Sequence, residues 1–328
     1  MSRRVVLLTD RAWPDERIER EIVESAGFEL VSGPADPAPA EEIERLVREH
    51  DPVAIMTCWA RVSAAAVRAP SDLRVIARMG VGLNNIDVRA ATQLGTLVTN
   101  VPDYCVEEVS DHAVALVLDW TRGISSFDRE VRAGRWNPAA ARLRRLRSKT
   151  VGIVGHGRIG RATARKLVAF GCRVVVHSRT VAPAAGVEFV SWADLLGMAD
   201  VVLLHVPLTD DTRHLVGAAE LAAMRDDALL VNVSRGGLVD TAALVEALDA
   251  GRIGGAALDV LQDEPVVDPA LLAHPNVVVT PHVGFSSDES VEELRTKAAE
   301  EVVRVLRGRP PCFPCNLPLV PSTAKERL

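Results

Sequence analysis

The chain has 328 residues, of which 48% are apolar and 25% are charged, and its formal net charge at pH 7 is −6. This length predicts two domains, each with enough apolar residues for a core of its own. The composition excludes a general attraction to nucleic acids or anionic membranes, and no apolar run approaches the ~20 residues of a membrane-spanning helix. The apolar stretch after Arg4 ends at Leu8, which is too short for a signal-peptide core, so we expect a cytoplasmic protein.

The first hundred residues alternate short apolar runs with helical segments. Their patterns predict strands at 5–9, 28–31, 53–58 and 75–78, and helices at 14–26, 40–49 and 63–68. The first helix is expected to open with Pro14 and to end at Gly27, and Ser63 is expected to cap the third. This βαβ alternation predicts a small parallel sheet with helices on both faces.

A long apolar helix is predicted next, at 106–122, continued after Gly123 by a helical segment at 127–133. An apolar helix in this position is expected to cross between domains or to contact another subunit. Five basic residues follow, namely Arg142, Arg144, Arg145, Arg147 and Lys149. Such a run is typical of a nucleic-acid contact or of a solvated linker, and the acidic balance of the whole chain favours the linker.

Residues 151–160 combine a buried strand, a glycine-rich turn and the start of a helix. Gly155 and Gly157 allow a sharp turn and a close approach of the backbone to a pyrophosphate, and Gly160 allows the helix to lie close to the strand. The helix, predicted at 162–170 and closed by Gly171, presents free N–H groups and a favourable dipole to the phosphates. Gly-x-Gly-x-x-Gly is weak evidence alone, but this context indicates a dinucleotide site.

Strands and helices continue to alternate after this turn. Strands are predicted at 173–177, 201–205, 229–233, 254–259 and 277–280, and helices at 192–196, 218–223, 241–250 and 288–306. The segment from Gly308 is expected to be mostly extended. The pattern predicts a second doubly wound parallel sheet, and therefore an α/β protein with two such domains.

The five cysteines are odd in number and scattered, with Cys58 and Cys172 in apolar surroundings, which indicates a reducing compartment. Cys312 and Cys315 have the Cys-x-x-Cys spacing of metal and redox sites. No further cysteine or histidine pair follows to complete four zinc ligands, and no strand–helix context precedes the motif. We therefore interpret them as two free thiols, and we expect no metal site.

Three polar positions follow predicted strands of the second sheet: Arg235, Glu264 and His282. The carboxyl ends of parallel strands line one crevice, where ligands bind, so these side chains could hold a carboxylate and move a proton. Each alone is also compatible with a structural role, as a surface arginine, a loop acid before proline or a buried histidine. The turn at 78–87 is similarly either an anion-binding nest or a plain strand–helix turn.

Together these motifs resemble the D-isomer-specific 2-hydroxyacid dehydrogenase family over nearly the whole chain. The matching stretches are 78–87, 100–118, 151–160, 205–209, 232–240, 259–265 and 281–284. The resemblance implies a flavodoxin-like substrate domain formed by 1–99 and 287–328, and a Rossmann cofactor domain at 100–286. It also implies a homodimer built largely through the cofactor domains.

The resemblance assigns roles to the candidate residues. Arg235 would bind the substrate carboxylate and polarise the 2-oxo group, since a fork of donors fits a planar anion. His282 would be the general acid in reduction and the base in oxidation, and Glu264 would favour the charged form of its ring. Val81 and Gly82 would supply backbone N–H groups to the same carboxylate.

The resemblance also assigns a set of positions to cofactor binding. They comprise Gly155, Gly157, Arg158, Ile159, Gly160, Ser178, Arg179, Val206, Pro207, Thr212, Val233, Ser234, Asp259, Val283, Gly284 and Phe285. Arg158 and Ile159 would contact the pyrophosphate, and Asp259 the carboxamide.

One cofactor position departs from the pattern of NAD-dependent relatives. The acid expected ~20 residues after the glycine loop, which binds the adenosine ribose, would follow His177. The sequence there has Ser178, Arg179 and Thr180, so no carboxylate repels a 2′-phosphate and Arg179 could bind one. We therefore favour NADP(H) over NAD(H).

The substrate is not named by the sequence. Glyoxylate, hydroxypyruvate and 3-phosphoglycerate-like acids are all consistent with the family, and Trp59 could limit substrate size or simply pack the core. A different class of function also remains. Some relatives, the C-terminal binding proteins, act chiefly as dinucleotide-sensing corepressors, and the set of Arg235, Glu264 and His282 does not discriminate between the two.

Overall fold

The computed structural model describes residues 4–317 and divides the chain into two compact units. The first unit takes in the chain up to Tyr104 and again from Ser287, and the second is the continuous segment Cys105–Ser286. Residues 1–3 and 318–328, which the predicted substrate domain includes, lie outside the described residues. Within residues 4–317, no helix combines the length and the apolar character needed to cross a membrane.

Twelve strands and twelve helices follow one another along the described chain. The strands are β1 (Val5–Leu8), β2 (Glu29–Ser32), β3 (Ala54–Thr57), β4 (Val75–Arg78), β5 (Leu97–Thr99), β6 (Thr150–Val154), β7 (Arg173–His177), β8 (Val187–Phe189), β9 (Val201–Leu204), β10 (Leu229–Asn232), β11 (Gly255–Leu258) and β12 (Val277–Val279). The helices are α1 (Arg17–Ser25), α2 (Ala40–His50), α3 (Ala64–Arg68), α4 (Val88–Gln93), α5 (Val106–Arg122), α6 (Ile124–Arg132), α7 (Arg158–Ala169), α8 (Trp192–Met198), α9 (Ala218–Ala223), α10 (Thr241–Asp249), α11 (Pro269–Ala273) and α12 (Asp288–Leu306).

The first unit contains a five-stranded, fully parallel sheet in the flavodoxin-like order β2-β1-β3-β4-β5. Strands β3 and β4 are buried along their whole length, as expected of strands covered on both faces. Leu7 and Ile55 lie in one core cluster with Ile43 of α2, whereas α12 packs with α1 and also contacts β3 and β4. Successive strand residues point to opposite faces, so the sheet is doubly wound as predicted.

A buried ion pair joins the two parts of the first unit. Arg295 of α12 donates from Nε and Nη2 to the two carboxylate oxygens of Glu19 on α1, at 2.9 and 2.8 Å. Nη2 also donates to the Asp15 carboxylate at 3.0 Å, and the guanidinium lies over the Trp13 ring. Glu19 is 0% exposed, so this bidentate bond satisfies a carboxylate that water cannot reach.

The second unit contains a seven-stranded parallel sheet in the order β12-β11-β10-β9-β6-β7-β8. The chain reverses direction of winding between β6 and β9, which is the switch point of a Rossmann sheet. The fold class predicted from the sequence, α/β with two doubly wound parallel sheets, is thus the fold observed.

Several predicted boundaries need correction. Helix α1 begins at Arg17 rather than at Pro14, because the Asp15 carboxylate accepts the N–H of Arg17 and the residues before it bend. Helix α7 begins at Arg158 rather than at 162, immediately after the glycine turn. After α5, the next helix begins at Ile124 rather than at 127, since the single left-handed residue Gly123 separates the two helices.

Strand β8 and helix α11 were not predicted, and helix α4 was implied only as the helix that follows the turn at 78–87. Strand β8 has no fully buried residue, so its sequence carries no apolar run. The two helices have five or six residues and depend on caps, since the carboxylates of Asp87 and Asp268 accept N–H groups from their first turns.

Helix α5 buries its apolar face inside its own unit, packing against α7 and β10. The basic run after α6 also has partners within the unit. The Arg144 guanidinium lies 4.2 Å from the Trp120 ring centroid, and Lys149 Nζ lies 2.8 Å from the Asp200 carboxylate. These contacts agree with the linker interpretation of the run.

All five cysteines are free thiols, and Cys58, Cys105 and Cys172 are buried. The segment with Cys312 and Cys315 is attached to the first sheet, because Cys315 N–H donates to Val98 O at 2.7 Å. Among residues 4–317, no group of three or more histidine, cysteine, aspartate or glutamate side chains is placed to hold a metal ion.

Candidate active site

The predicted site residues of the second unit all follow the carboxyl ends of strands in one parallel sheet. The order of the strands separates them into two groups. Arg235, Glu264 and His282 follow the neighbouring strands β10, β11 and β12, whereas the glycine loop and Ser178 follow β6 and β7. In such a sheet, ligands bind outside the carboxyl edge at the switch point, which here lies between β9 and β6.

The glycine turn after β6 has a separate structural requirement at two of its glycines. Gly155 has φ of +98°, and a Cβ there would lie 2.6 Å from His205 O. A Cβ on Gly160 would lie 2.1 Å from Gly155 O, so any side chain would push α7 away from the strand. Both positions therefore need glycine for the turn itself.

Gly157 differs, because a Cβ there would meet no atom within 4 Å. Packing within the protein does not require glycine at this position. A ligand that lies close to the backbone of the turn would require it. The first N–H groups of α7 have no intrahelical acceptor, and the dipole of this twelve-residue helix favours an anion at its N-terminus. The turn thus fits the pyrophosphate of a dinucleotide.

Ser178 and Arg179 follow β7 directly. Ser178 is half-buried and Arg179 is exposed. Among the described residues, no carboxylate lies within ion-pair distance of Arg179, nor of the exposed Arg158 at the start of α7. Two cations without an ion-pair partner therefore lie at the start of α7 and on the loop after β7.

The arginine loop after β10 is fixed by its neighbours. Asn232 accepts the Ser234 N–H at 3.1 Å and donates from Nδ2 to Arg235 O at 2.9 Å, and Ser234 Oγ donates to Leu204 O at 2.8 Å. A Cβ on Gly236 would lie 1.9 Å from Leu261 C and O, so this loop packs directly on the backbone after β11. The Arg235 loop and the Glu264 loop are therefore held in contact.

Glu264 and His282 are hydrogen-bonded to each other. Glu264 Oε2 lies 2.8 Å from His282 Nδ1, and Leu261 N–H donates to Oε1 at 2.8 Å. Partial burial raises the pKa of Glu264, but the bond to His282, the Leu261 N–H and the charge of Arg235 outweigh it, and the net pKa is below the usual value. Glu264 is therefore an anion near neutral pH, oriented toward the ring.

Asp259, at the end of β11, organises the loop that carries His282. The carboxylate is 3% exposed, and its oxygens accept from Thr280 Oγ1 at 2.6 Å, Val283 N–H at 3.0 Å and Gly284 N–H at 2.8 Å. Its carbonyl accepts the His282 N–H at 2.8 Å. These bonds hold His282 at φ of +55°, a left-handed conformation that non-glycine residues adopt at a cost.

Two residues of this network were missed by sequence reasoning. His112 of α5 places Nε2 3.0 Å from Thr280 Oγ1 and 3.4 Å from Asp259 Oδ1, and its ring would contact a Cβ on Gly284. Thr280 was predicted only as a strand end. For Thr280, the one signal in the sequence is its position beside Pro281 and His282. For His112 there is no signal, because a helix sequence does not show which loop its histidine faces.

Other predicted cofactor positions have structural contacts of their own. Thr212 Oγ1 donates to Pro207 O and accepts the Thr209 N–H, both at 2.7 Å, so the hydroxyl closes the loop after β9. Val206 packs against the core beside Gly155, and Val233 is buried. The Phe285 ring meets the His282 ring edge to face, with centroids 6.3 Å apart. Burial lowers the pKa of His205, which follows β9, to about 4.

In the first unit, Val81 and Gly82 follow β4 at the carboxyl edge of the five-stranded sheet. Asn100 Nδ2 donates to Val81 O at 2.7 Å, and Val101 N–H donates to Gly80 O at 3.1 Å. These bonds fix the carbonyls of the loop, while the N–H groups of Val81 and Gly82 donate to no oxygen among the described residues. Two adjacent unused donors are the feature expected of an anion nest.

Comparison with known proteins connects this geometry to a protein family. Residues 114–284 match the family model described as D-isomer specific 2-hydroxyacid dehydrogenase, NAD binding domain. The glyoxylate reductase of Aeropyrum pernix is 40% identical over 288 residues, which cover 84% of this chain and 85% of that protein. The D-3-phosphoglycerate dehydrogenase of Methanocaldococcus jannaschii is 37% identical over 293 residues, covering 88% of this chain and 56% of that protein.

A solved structure is similar over nearly the whole length of the chain. The NADPH-dependent glyoxylate/hydroxypyruvate reductase from Sinorhizobium meliloti, in complex with NADP and malonate, has a TM-score of 0.85 and 33% identity, covering 95% of this chain and 97% of that one. The chain spans only about half the length of the D-3-phosphoglycerate dehydrogenases that it matches.

Proposed function

The chain belongs to the D-isomer specific 2-hydroxyacid dehydrogenase family, and on that premise we propose that it interconverts a small 2-oxo acid and its D-2-hydroxy acid. The observation that carries the proposal is the 2.8 Å bond between Glu264 and His282, formed beside the Arg235 loop on the sheet that bears the glycine turn. An ionised carboxylate that orients an imidazole is the arrangement expected of a general acid–base pair.

A nicotinamide dinucleotide, when bound, supplies the hydride in reduction and accepts it in oxidation. The turn of Gly155, Gly157 and Gly160, with the N–H groups of Arg158 and Ile159, would hold its pyrophosphate. The positions Val206, Pro207, Thr212, Val233 and Ser234, on the loops after β9 and β10, would contact the rest of it.

Arg235 would bind the substrate carboxylate with its fork of donors and polarise the 2-oxo group. The charge of the guanidinium also offsets the negative charge that develops on the oxygen during reduction. Val81 and Gly82, with their unused N–H groups, would bind a substrate carboxylate.

His282 would transfer the proton. In reduction Nε2 gives a proton to the 2-oxo oxygen as it becomes a hydroxyl, and in oxidation the same nitrogen accepts it. Glu264, bonded at Nδ1, fixes the ring orientation and stabilises the imidazolium before the proton leaves. Both roles require the anionic form of Glu264, which its lowered pKa supplies.

The Asp259 carboxylate would hold the loop that carries His282 and would also bind the cofactor. Oδ1 is used by Thr280 and Val283, whereas Oδ2 accepts only the Gly284 N–H and has one further lone pair. That lone pair would accept the carboxamide N–H. Val283, Gly284 and Phe285 would then lie beside the nicotinamide.

We infer a preference for NADP(H) from Ser178 and Arg179, which provide a hydroxyl and an unpaired cation where NAD-dependent enzymes place an acid. Arg179→Gln is expected to raise KM for NADPH about tenfold and leave KM for NADH unchanged. Arg165→Gln, on the exposed face of α7, serves as the control. A wild-type kcat/KM that is higher with NADH would contradict the inference.

The unit assignments follow the same premise. The first unit would be the substrate domain and the second the cofactor domain of a cytoplasmic homodimer. The observation that supports a dimer is α6, which has no buried residue, followed by Trp136, whose side chain is 82% exposed. A second copy of the chain would cover this surface. Sedimentation as a monomer at micromolar concentration would reject the dimer.

The direct test of the function is a reductase assay of the purified protein with NADPH and NADH against glyoxylate, pyruvate, hydroxypyruvate and its phosphate ester. Turnover of at least one acid is expected, with loss of activity in His282→Asn. Tight dinucleotide binding without turnover of any 2-oxo acid would instead support a dinucleotide-sensing protein. The reductases and dehydrogenases among its relatives make that alternative the less favoured one.

A further inference from the structure

A buried arginine without a counter-charge lies at the carboxyl edge of the first sheet. Arg78, the last residue of β4, is 6% exposed, and its Nη1 donates to Met79 O. Its Nε is buried without an acceptor, and no carboxylate of the described residues lies within ion-pair distance of it. An unpaired buried charge is costly, and such groups concentrate at functional sites.

Neither the Cys58 thiol nor the Asp10 carboxylate forms an ion pair with this arginine. Burial raises the pKa of the Cys58 thiol to about 12, so that group carries no charge. The carboxylate of Asp10 is used as a backbone anchor, since it accepts the N–H groups of Cys58, Trp59 and Ala60 at 2.9, 2.5 and 2.9 Å. Arg78 therefore has no ion-pair partner among the described residues.

Trp59 covers that charge. The Arg78 guanidinium carbon lies 5.5 Å from the centroid of the Trp59 ring, within cation–π distance. The Trp59 backbone is fixed by the bonds to Asp10, and Asn85 Nδ2 holds Ala60 O at 2.9 Å on the other side of the loop. The indole is thus held by its loop rather than lying free on the surface.

The covered charge lies directly under the loop that we propose binds the substrate carboxylate. A Cβ on Gly80 would lie 2.5 Å from Arg78 Nη1, so the guanidinium packs against the backbone that leads into Val81 and Gly82. An anion bound to the N–H groups of Val81 and Gly82 would neutralise the charge of Arg78. Trp59 would stay over the guanidinium.

Resting on the proposed function, we propose that Arg78 and Trp59 form a substrate-selecting pair. Arg78 supplies positive potential for the single carboxylate of the substrate. Trp59 occupies the space through which a second anionic group would reach the guanidinium. The substrate class is then a 2-oxo acid with a small, uncharged side chain, and acids that carry a distal phosphate or second carboxylate are excluded.

The test compares hydroxypyruvate with its 3-phosphate ester, since the two differ only in the anionic group. The wild-type kcat/KM is expected to favour hydroxypyruvate by at least about tenfold. Trp59→Ala is expected to shift this ratio by about tenfold toward the phosphate ester, and Trp59→Ala combined with Arg78→Gln is expected to lose the shift. Arg61→Gln, an exposed arginine on the same loop, is the matched control and should leave the ratio unchanged.

A wild-type preference for the phosphate ester would overturn the proposal, as would a shift in Trp59→Ala that persists without Arg78. Arg78→Gln alone should raise KM for hydroxypyruvate several-fold with kcat nearly unchanged, and an unchanged KM would also overturn it. If Trp59→Ala does not fold, Trp59→Leu and the Arg78→Gln result decide the question. Absence of turnover with every 2-oxo acid in the wild type would reject the proposed function itself, which is a different outcome.

Discussion

At the scale of single residues, the candidate site depends on His282 being held in a backbone conformation that histidine seldom adopts. The left-handed φ costs on the order of 1–3 kcal/mol, which the bonds from Asp259 and Glu264 must offset. A conformation that neighbours must impose is typical of a functional residue.

Glu264→Gln is expected to move the pH profile of reduction to lower pH. The lowered pKa of Glu264 means that an anion faces the His282 ring throughout the neutral range, and the glutamine removes that charge while keeping an acceptor. Without the facing anion, kcat/KM for reduction should fall at a lower pH than in the wild type as pH rises. Asp263→Asn, the adjacent exposed acid, is the control, and an unshifted Glu264→Gln profile would remove Glu264 from the proton transfer.

Arg235→Ala is expected to lose substrate affinity and rate together, by a combined factor on the order of 10³ in kcat/KM, because it removes both a carboxylate ligand and a transition-state charge. Arg235→Lys should recover only part of this, since a point charge cannot replace the fork. Dinucleotide binding, followed by quenching of protein fluorescence, should survive in both variants. Full turnover in Arg235→Ala would exclude the residue from the site.

At the scale of elements, the glycines of the turn after β6 serve two purposes. Gly160 is needed for the fold, and Gly157 is needed for the ligand. Gly160→Ala places a Cβ 2.1 Å from Gly155 O and is expected to lower the unfolding midpoint clearly. Gly157→Ala meets no protein atom within 4 Å, so its midpoint should be unchanged while its dinucleotide Kd rises. Thermal unfolding and dinucleotide titration of both variants measure the two effects. Equal affinity in Gly157→Ala and the wild type would contradict the pyrophosphate position.

The sequence predicted most elements because their signals are local. Apolar runs gave β3, β6, β9 and β10, and the pattern of Leu294, Ala298 and Val302 gave α12. Strand β8 was missed because an edge strand without a buried residue has no such run. In the site, Glu264 and His282 could be paired because each follows a neighbouring strand. The contact of His112 with Thr280 joins residues 168 positions apart, and no local pattern encodes it.

At the scale of the whole molecule, the first unit depends on a helix that the chain supplies only after completing the second unit. Arg295 of α12 is therefore predicted to be a major contributor to its stability. Arg295→Ala leaves the Glu19 carboxylate buried without a partner, which should cost ~3–5 kcal/mol. Urea unfolding measures this loss, and Arg45→Ala, which removes an exposed ion pair on α2, should leave the midpoint nearly unchanged. A similar midpoint in both variants would contradict the prediction.

The position of α12 in the chain also sets an order of events during protein synthesis. The second unit is one continuous segment, so its seven strands have all been made when translation reaches Ser287. The five strands of the first unit are made earlier, yet the helix that covers β3, β4 and α1 emerges last. Until α12 has been made, the parts of α1, β3 and β4 that it covers in the folded protein lack that cover, and exposed apolar surface of this kind makes a partly made chain prone to aggregation.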